Sequence, residues 1–254
     1  MIENKLSNVS KSFKPIRKYD RSILVDNKHY YVFCKGNKVS LDSCMLVFCQ
    51  IDRKTIQWDV ILDFIGEVIN QINYTIFKEK TSLIYAPCVD VYRSVGTQGL
   101  VIMVQYTKSN VDKYIQEFLL TVMEHINNMS EEMFKAIKEL MIQVRRDKKP
   151  KTMLEQSEVL WNEILKDQYI FGRIDLEIEE LHKLTLRECQ QFFKKFLIDK
   201  SPNLSVYLIP CMILNLTKRG NVGVPKVMFE KNVKRITDIL SFKCSQCLCA
   251  MPNC

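Results

Sequence analysis

The amino-acid sequence predicts an α+β domain, an antiparallel sheet with a block of helices packed on one face. Three observations point there. Strand-like and helix-like segments come in groups rather than in alternation: three strands, a helix, two strands, a run of helices, one more strand. Only 7 of 254 residues are glycine, which leaves little material for phosphate-cradling loops. The chain is 47% hydrophobic and 26% charged, the balance of a globular domain. At this length it can bury roughly 70–75% of its unfolded surface and needs no staples.

Residues 1–14 are polar and aperiodic and read as an N-terminal tail; the domain proper is expected over 15–212. Runs at Ser22–Val25, Tyr30–Cys34 and Met45–Ile51, with Asp26-Asn27 and Gly36-Asn37 as turn chemistry between them, read as an antiparallel meander. From Thr55 the spacing changes. Ile61, Phe64, Ile65, Val68, Ile69, Ile72 and Ile76 recur at three and four, the apolar stripe of a long helix. Leu83–Val91 and Leu100–Tyr106 are the next strands, and the second is so apolar that both its faces are expected to be covered. Helices follow along Ile115–Ile126 and Phe134–Val144, the latter with Ser130 as N-cap and Glu131 and Glu132 in the first turn. Further helices are expected from about Met153 to Gln168, over Asp175–Leu184, and from Thr185, where T-x-x-E ending at Glu188 makes a capping box. Leu204–Leu208 alternates and reads as a closing strand. Residues 213–254 form an extension with one short helix at about 225–240 and a cysteine-rich tail.

The three histidines, His29, His125 and His182, argue against metal hydrolysis on this chain. None has a second histidine within five residues, and neither H-E-x-x-H nor H-x-x-E-H occurs. There is also no G-x-S-x-G, P-loop or G-x-G-x-x-G, so no catalytic residue is assigned. Ten cysteines in 254 residues fall below the density of a disulfide scaffold. The first thirty residues hold no apolar stretch of the length a signal peptide requires, and no later run approaches the length of a membrane span. A reducing, cytoplasmic setting is therefore expected, without a membrane partner.

Lys and Arg number 37 against 29 Asp and Glu, a formal net charge of +8. Five basic residues, Arg145, Arg146, Lys148, Lys149 and Lys151, crowd one helix C-terminus. They read either as a solvated end complementing the helix dipole or as a polyanion site. Nucleic acid is not expected as a partner, because acidic residues are interspersed elsewhere and no aromatic-studded basic strand is present. In the tail, Cys244, Cys247, Cys249 and Cys254 could bind a soft metal, but one cluster lacks the two separated pairs of a structural zinc site, and an irregular tail is the plainer reading.

Several stretches together carry a resemblance. Tyr85, Arg93 and Val95-Gly96-Thr97-Gln98-Gly99-Leu100 resemble a segment reading L-G-Y…R-x-x-x-G-x-Q-G-L in the insulinase/pitrilysin family of zinc metallopeptidases, the insulin-degrading-enzyme-like proteins. Met129-Ser130-Glu131-Glu132-Met133-Phe134, Arg145 to Lys151, Trp161-Asn162-Glu163-Ile164 and Tyr169-Ile170-Phe171-Gly172-Arg173 continue it in the family's order, from about Lys18 to Tyr207. The resemblance is to the last, non-catalytic domain, and it implies the α+β fold shared by mitochondrial processing peptidase and insulinase domains. It further implies that zinc sits on a missing catalytic half and that this chain holds no cofactor. The implied role is to close a chamber and hold peptide substrate for proteolysis elsewhere, with a catalytic insulinase-like domain or chain as partner. Alone, the chain is not expected to cleave peptides. Tyr85 matches the family tyrosine that hydrogen-bonds near the scissile peptide, and Lys78 stands in place of an upstream arginine. A plain strand tyrosine is the competing reading of Tyr85. The chain departs from the family's K-E-Q-L-G-Y at Ile84, where a glycine is usual, and again at Pro87 and Asp90. The rival function is a degenerate stand-alone module that binds peptides or a peptidase without a catalytic role.

Overall fold

A computed structural model describes residues 23–25, 28–33, 43–53, 55–80, 87–94, 97–106, 111–165, 168–199, 203–208 and 234–248. In chain order these form β1 (Ile23–Leu24), β2 (His29–Phe33), β3 (Ser43–Arg53), α1 (Ile56–Lys80), β4 (Cys88–Arg93), β5 (Thr97–Tyr106), α2 (Val111–Asn127), α3 (Glu131–Asp147), α4 (Met153–Leu165), α5 (Arg173–Lys183) and α6 (Leu186–Phe193). A π-helical segment, Lys194–Asp199, leads to β6 (Asn203–Leu208), β7 (Lys234–Arg235), α7 (Ile239–Ser245) and β8 (Cys247–Leu248). Strands and helices are grouped as the sequence predicts, and the fold is α+β.

The six-stranded sheet runs β4-β5-β3-β6-β2-β7. β3 is antiparallel to both β5 and β6, as is β4 to β5, whereas β2 is parallel to β6 and β7. The first three strands are therefore not a meander. β6 inserts between β2 and β3, and β1 leaves the main sheet to pair with β8. Turn residues say where a chain reverses, not which strand it will lie beside, and β6 has hydrogen-bonding edges for two partners. The C-terminal extension belongs to the same sheet through β7, and its described helix, α7, overlaps the expected span only at Ile239 and Leu240. Residues 1–14 and 209–233, and with them most of that expected span, lie outside the described residues.

Alternation sets the core. Met45, Val47, Cys49 and Ile51 of β3 and Leu100, Ile102 and Val104 of β5 are buried on one face. On them lies the apolar stripe of α1, where Ile61, Phe64, Ile65, Val68 and Ile69 are almost wholly excluded from solvent. The opposite face is more open than expected. Met103 and Tyr92 are exposed, Val101, Leu46 and Phe48 are half-buried, and no described helix lies over them. A continuous apolar run does not by itself distinguish a strand covered on both faces from one with an apolar surface to spare.

The helix signals read from the sequence are present as atoms. Ser130 Oγ accepts from Met133 N at 3.2 Å, and Thr185 and Glu188 form a complete capping box at the start of α6. That helix presents Leu186, Cys189, Phe192 and Phe193 to the core, with Trp58 of α1 edge-on to Phe192 and to Phe196 of the π-helical segment. Burial, reinforced by the neighbouring Glu188 charge, pushes the Cys189 thiol up to about 12. A raised pKa favours the neutral thiol, so its contribution to stability is complete below the ordinary value of 9.0 and is lost as pH rises toward 12. The native chain at pH 8 should leave Cys189 unlabelled by a thiol reagent while the exposed Cys88 and Cys244 react. Peptide mapping by mass spectrometry reads this, and labelling of Cys189 as fast as Cys88 would contradict the packing.

Candidate functional site

α1 is buried on two sides. Its stripe meets the sheet, and its other side meets α3 and α5, where Asp59 and Asp63 are four residues apart and share a face. A cleft of about 570 Å³ opens here between α1, β4, α3, α4 and α5. Three arginines converge on it. Arg93 of β4 donates from Nη2 to Asp63 Oδ1 at 2.5 Å and to the Asp59 carbonyl at 3.2 Å. Arg145 of α3 reaches Asp63 Oδ2 at 2.7 Å and Glu177 Oε2 of α5 at 2.8 Å. Arg173 of α5 grips Glu163 of α4 with both arms of its fork, Nε to Oε1 at 2.6 Å and Nη2 to Oε2 at 2.9 Å, and reaches Asp59 Oδ2 at 3.2 Å and Gln168 Oε1. Three guanidinium groups and four carboxylates thus join four helices to the edge strand. Burial works against the charge of Arg93 and Arg173, but Asp63, Asp59 and Glu177 for the one and Glu163, Asp59 and Glu177 for the other together outweigh it and raise both pKa values.

Chemically this is a clamp. A guanidinium at neutral pH has no free pair with which to act as a base, and all four carboxylates are within hydrogen-bonding or ion-pairing distance of one. Nor do the residues fit zinc. Among the described residues no group of three or more His, Cys, Asp and Glu is placed to hold a metal ion. His29 is buried in β2 with its ring 4.9 Å from that of Phe242, His125 lies on α2, and His182 is exposed near the end of α5.

The basic segment is not one continuous exposed patch. Arg145 is turned inward to the clamp, with a side chain only 12% exposed. Lys149 pairs with Asp175 at 2.5 Å, and Arg146 lies 3.9 Å from Glu139. Lys148 and Lys151 are exposed, as are Arg146 and Lys149. Of the two residues assigned to substrate, Tyr85 lies outside the described residues; Lys78 lies in the last turns of α1, with its side chain likewise outside them.

Arg93, Arg145, Glu163 and Arg173 are among the residues that carry the family resemblance, and the clamp gives them a structural role. A model described as "Peptidase M16 inactive domain" matches residues 1–141, more than half of the chain. The chain belongs to the M16 peptidase family. This M16 domain is 28% identical to insulin-degrading enzyme of Drosophila melanogaster over 218 residues, covering 84% of this chain and 22% of the fly protein. It is 26% identical to human nardilysin over 178 residues, 68% of this chain and 15% of nardilysin. Among solved structures, pitrilysin superposes with a TM-score of 0.71 at 15% identity, over 92% of this chain and 24% of that one, a likeness of fold. The M16 domain therefore spans about a fifth of the length of the curated relatives it matches. The matched model is that of an inactive domain, and among the described residues no group is placed to hold a metal ion.

Sequence reasoning missed Asp59, Asp63 and Glu177. The signal was available: two carboxylates one turn apart on the helix face opposite the stripe, in a chain whose motif arginines otherwise had no partners.

Proposed function

We propose that this chain serves as the non-catalytic C-terminal domain of an insulin-degrading-enzyme-like zinc metalloendopeptidase, closing its chamber and holding peptide substrate against a zinc site carried elsewhere. The observation that carries the reading is the match to an inactive M16 domain over more than half of the chain. The open sheet face supports it. Leu46, Phe48, Tyr92 and Met103 offer an extended peptide an apolar floor beside β4, the edge strand, and the sequence puts Tyr85 three residues ahead of that strand. In this reading the Tyr85 hydroxyl assists the developing oxyanion and Lys78 lends a positive charge to the bound peptide.

The test mixes the purified chain with an M16 chain that carries the zinc motif, and follows a fluorogenic peptide. Cleavage should rise only in the mixture and fall about 100-fold with Tyr85→Phe, the scale of losing one oxyanion donor. No gain at any ratio would leave the stand-alone peptide-binding module as the better account.

A further inference from the structure

The open face of the sheet carries one negative charge, and it stands on the edge strand. Val89 and Val91 of β4 pack toward α1, where Val91 Cγ2 would lie 3.2 Å from a Cβ on Gly66, so alternation turns Cys88, Asp90 and Tyr92 to the open side. The Tyr92 ring stands edge-on to Phe48 on that side, with centroids 5.6 Å apart. Register then puts Asp90, Val101, Phe48 and Leu204 in one row running inward from the edge, and Cys88, Met103 and Leu46 in the next. Among the described residues of β3, β5 and β6, no charged side chain lies on this side. Asp90 is thus a lone carboxylate at the rim of an apolar surface, in a chain whose net charge is +8. It is exposed, and no cation among the described residues pairs with it. Its Oδ1 accepts instead from the Val91 N–H at 2.8 Å. Because β4 is an edge strand, this bond covers a main-chain donor that would otherwise be open to an added strand. Asp90 is also one of the positions at which the chain departs from the family's sequence.

Resting on the proposed function, we propose that Asp90 selects the peptide that β4 holds: an extended segment with Lys or Arg opposite Asp90 and an apolar side chain two residues away, against Tyr92. Charge complementarity argues for this occupant. In a strand laid along β4, the side chain opposite Asp90 shares its face and stands directly beside it, where an opposite charge is favoured and a like charge is penalised. The period of two brings the next side chain on that face beside Tyr92, which is 54% exposed and offers its ring. A lysine or arginine suits the place in both its parts, an aliphatic stem for the apolar surface and a charged head for the rim. The cation draws the carboxylate away from the Val91 N–H, and that donor becomes available to a peptide carbonyl. A peptide without the cation leaves the donor covered.

The test titrates the purified chain into fluorescein-labelled peptides of sequence Ser-Phe-Thr-X-Thr-Phe-Ser, with lysine, norleucine or glutamate as X, and reads affinity from fluorescence anisotropy. The lysine peptide should bind about fivefold or more tightly than the norleucine peptide, and the glutamate peptide most weakly. Asp90→Asn keeps an acceptor for the Val91 N–H and removes only the charge, so lysine and norleucine should become equal. Asp90→Lys should reverse the order and make the glutamate peptide the tightest, which a purely structural role of Asp90 does not produce. Both substitutions change an exposed side chain and should leave the melting curve where it is. Equal affinity of the native chain for the three peptides, binding of none, or an order that Asp90→Lys fails to reverse overturns the inference. The two readings fail separately. Lysine-selective binding, with no cleavage when a zinc-bearing M16 chain is added, keeps the selection and removes the peptidase role. Cleavage of the lysine and norleucine peptides at equal kcat/KM in that mixture does the opposite.

Discussion

Arg173→Met should cost about 3–5 kcal/mol of folding stability, the usual consequence of leaving buried carboxylates without their cation. The side chain removed is 16% exposed, and it leaves behind Glu163 and Asp59, whose side chains are 8% and 3% exposed. Chemical denaturation with an unchanged m-value would measure the loss, and Tm should fall by roughly 10 °C for a chain of this size. The pair itself need not add much net stability, because two ions were taken out of water to make it. Arg173→Met/Glu163→Met should therefore recover part of the loss, with a coupling of more than about 1 kcal/mol in the double-mutant cycle. A single variant that costs less than 1 kcal/mol would show that the clamp is decoration on a fold held by its core alone.

Gly99→Ala should be at least as damaging, for a reason of space. On β5 a Cβ at this position would lie 2.3 Å from the Cys49 carbonyl oxygen and 2.5 Å from Phe48 Cε2. Gly99 is opposite Gln50 on β3 and Tyr92 on β4, so strands on both sides limit how far β5 can move. Overpacking of this severity against backbone is expected to exceed about 3 kcal/mol or to prevent folding. Gly172 is the control. Its φ of +88° is awkward for a side chain, but nothing lies within 4 Å of a Cβ there, so Gly172→Ala should cost only about 1–2 kcal/mol. Equal losses at the two positions would refute the steric account. The glycine in Q-G-L is thus explained by the close approach of β3, not by a turn.

What the sequence made legible was local. The α1 stripe, the Ser130 cap and the Thr185 capping box are written in residues three and four apart, and each was readable where it stands. What was not legible depended on partners far along the chain. Nothing near β2 announces that β6, some 170 residues later, will lie against it in parallel. Asp59 and Asp63 read as the wet side of an amphipathic helix until Arg93, Arg145 and Arg173 arrive from three other elements. Arg145 illustrates the limit in reverse: within a run of basic residues it reads as solvated charge, whereas its guanidinium is a buried crosslink.

The pairing of Ile23 with Leu248 and of His29 with Lys234 bears on how this domain can be made in a cell. A ribosome adds about 5–20 residues per second, so roughly 225 further residues separate the emergence of β1 from that of its partner by about 10–45 s. During most of that interval, until β6 emerges some 170 residues after β2, α1 to α6 can form, but β2 waits with unpaired edges, and the central β3 has β5 on one side while the place of β6 is empty. Assembly of the sheet is thereby a late event, governed by long loop closure rather than by helix formation. A translational stall before β6 would present an apolar sheet edge to the surroundings, the kind of surface that chaperones cover.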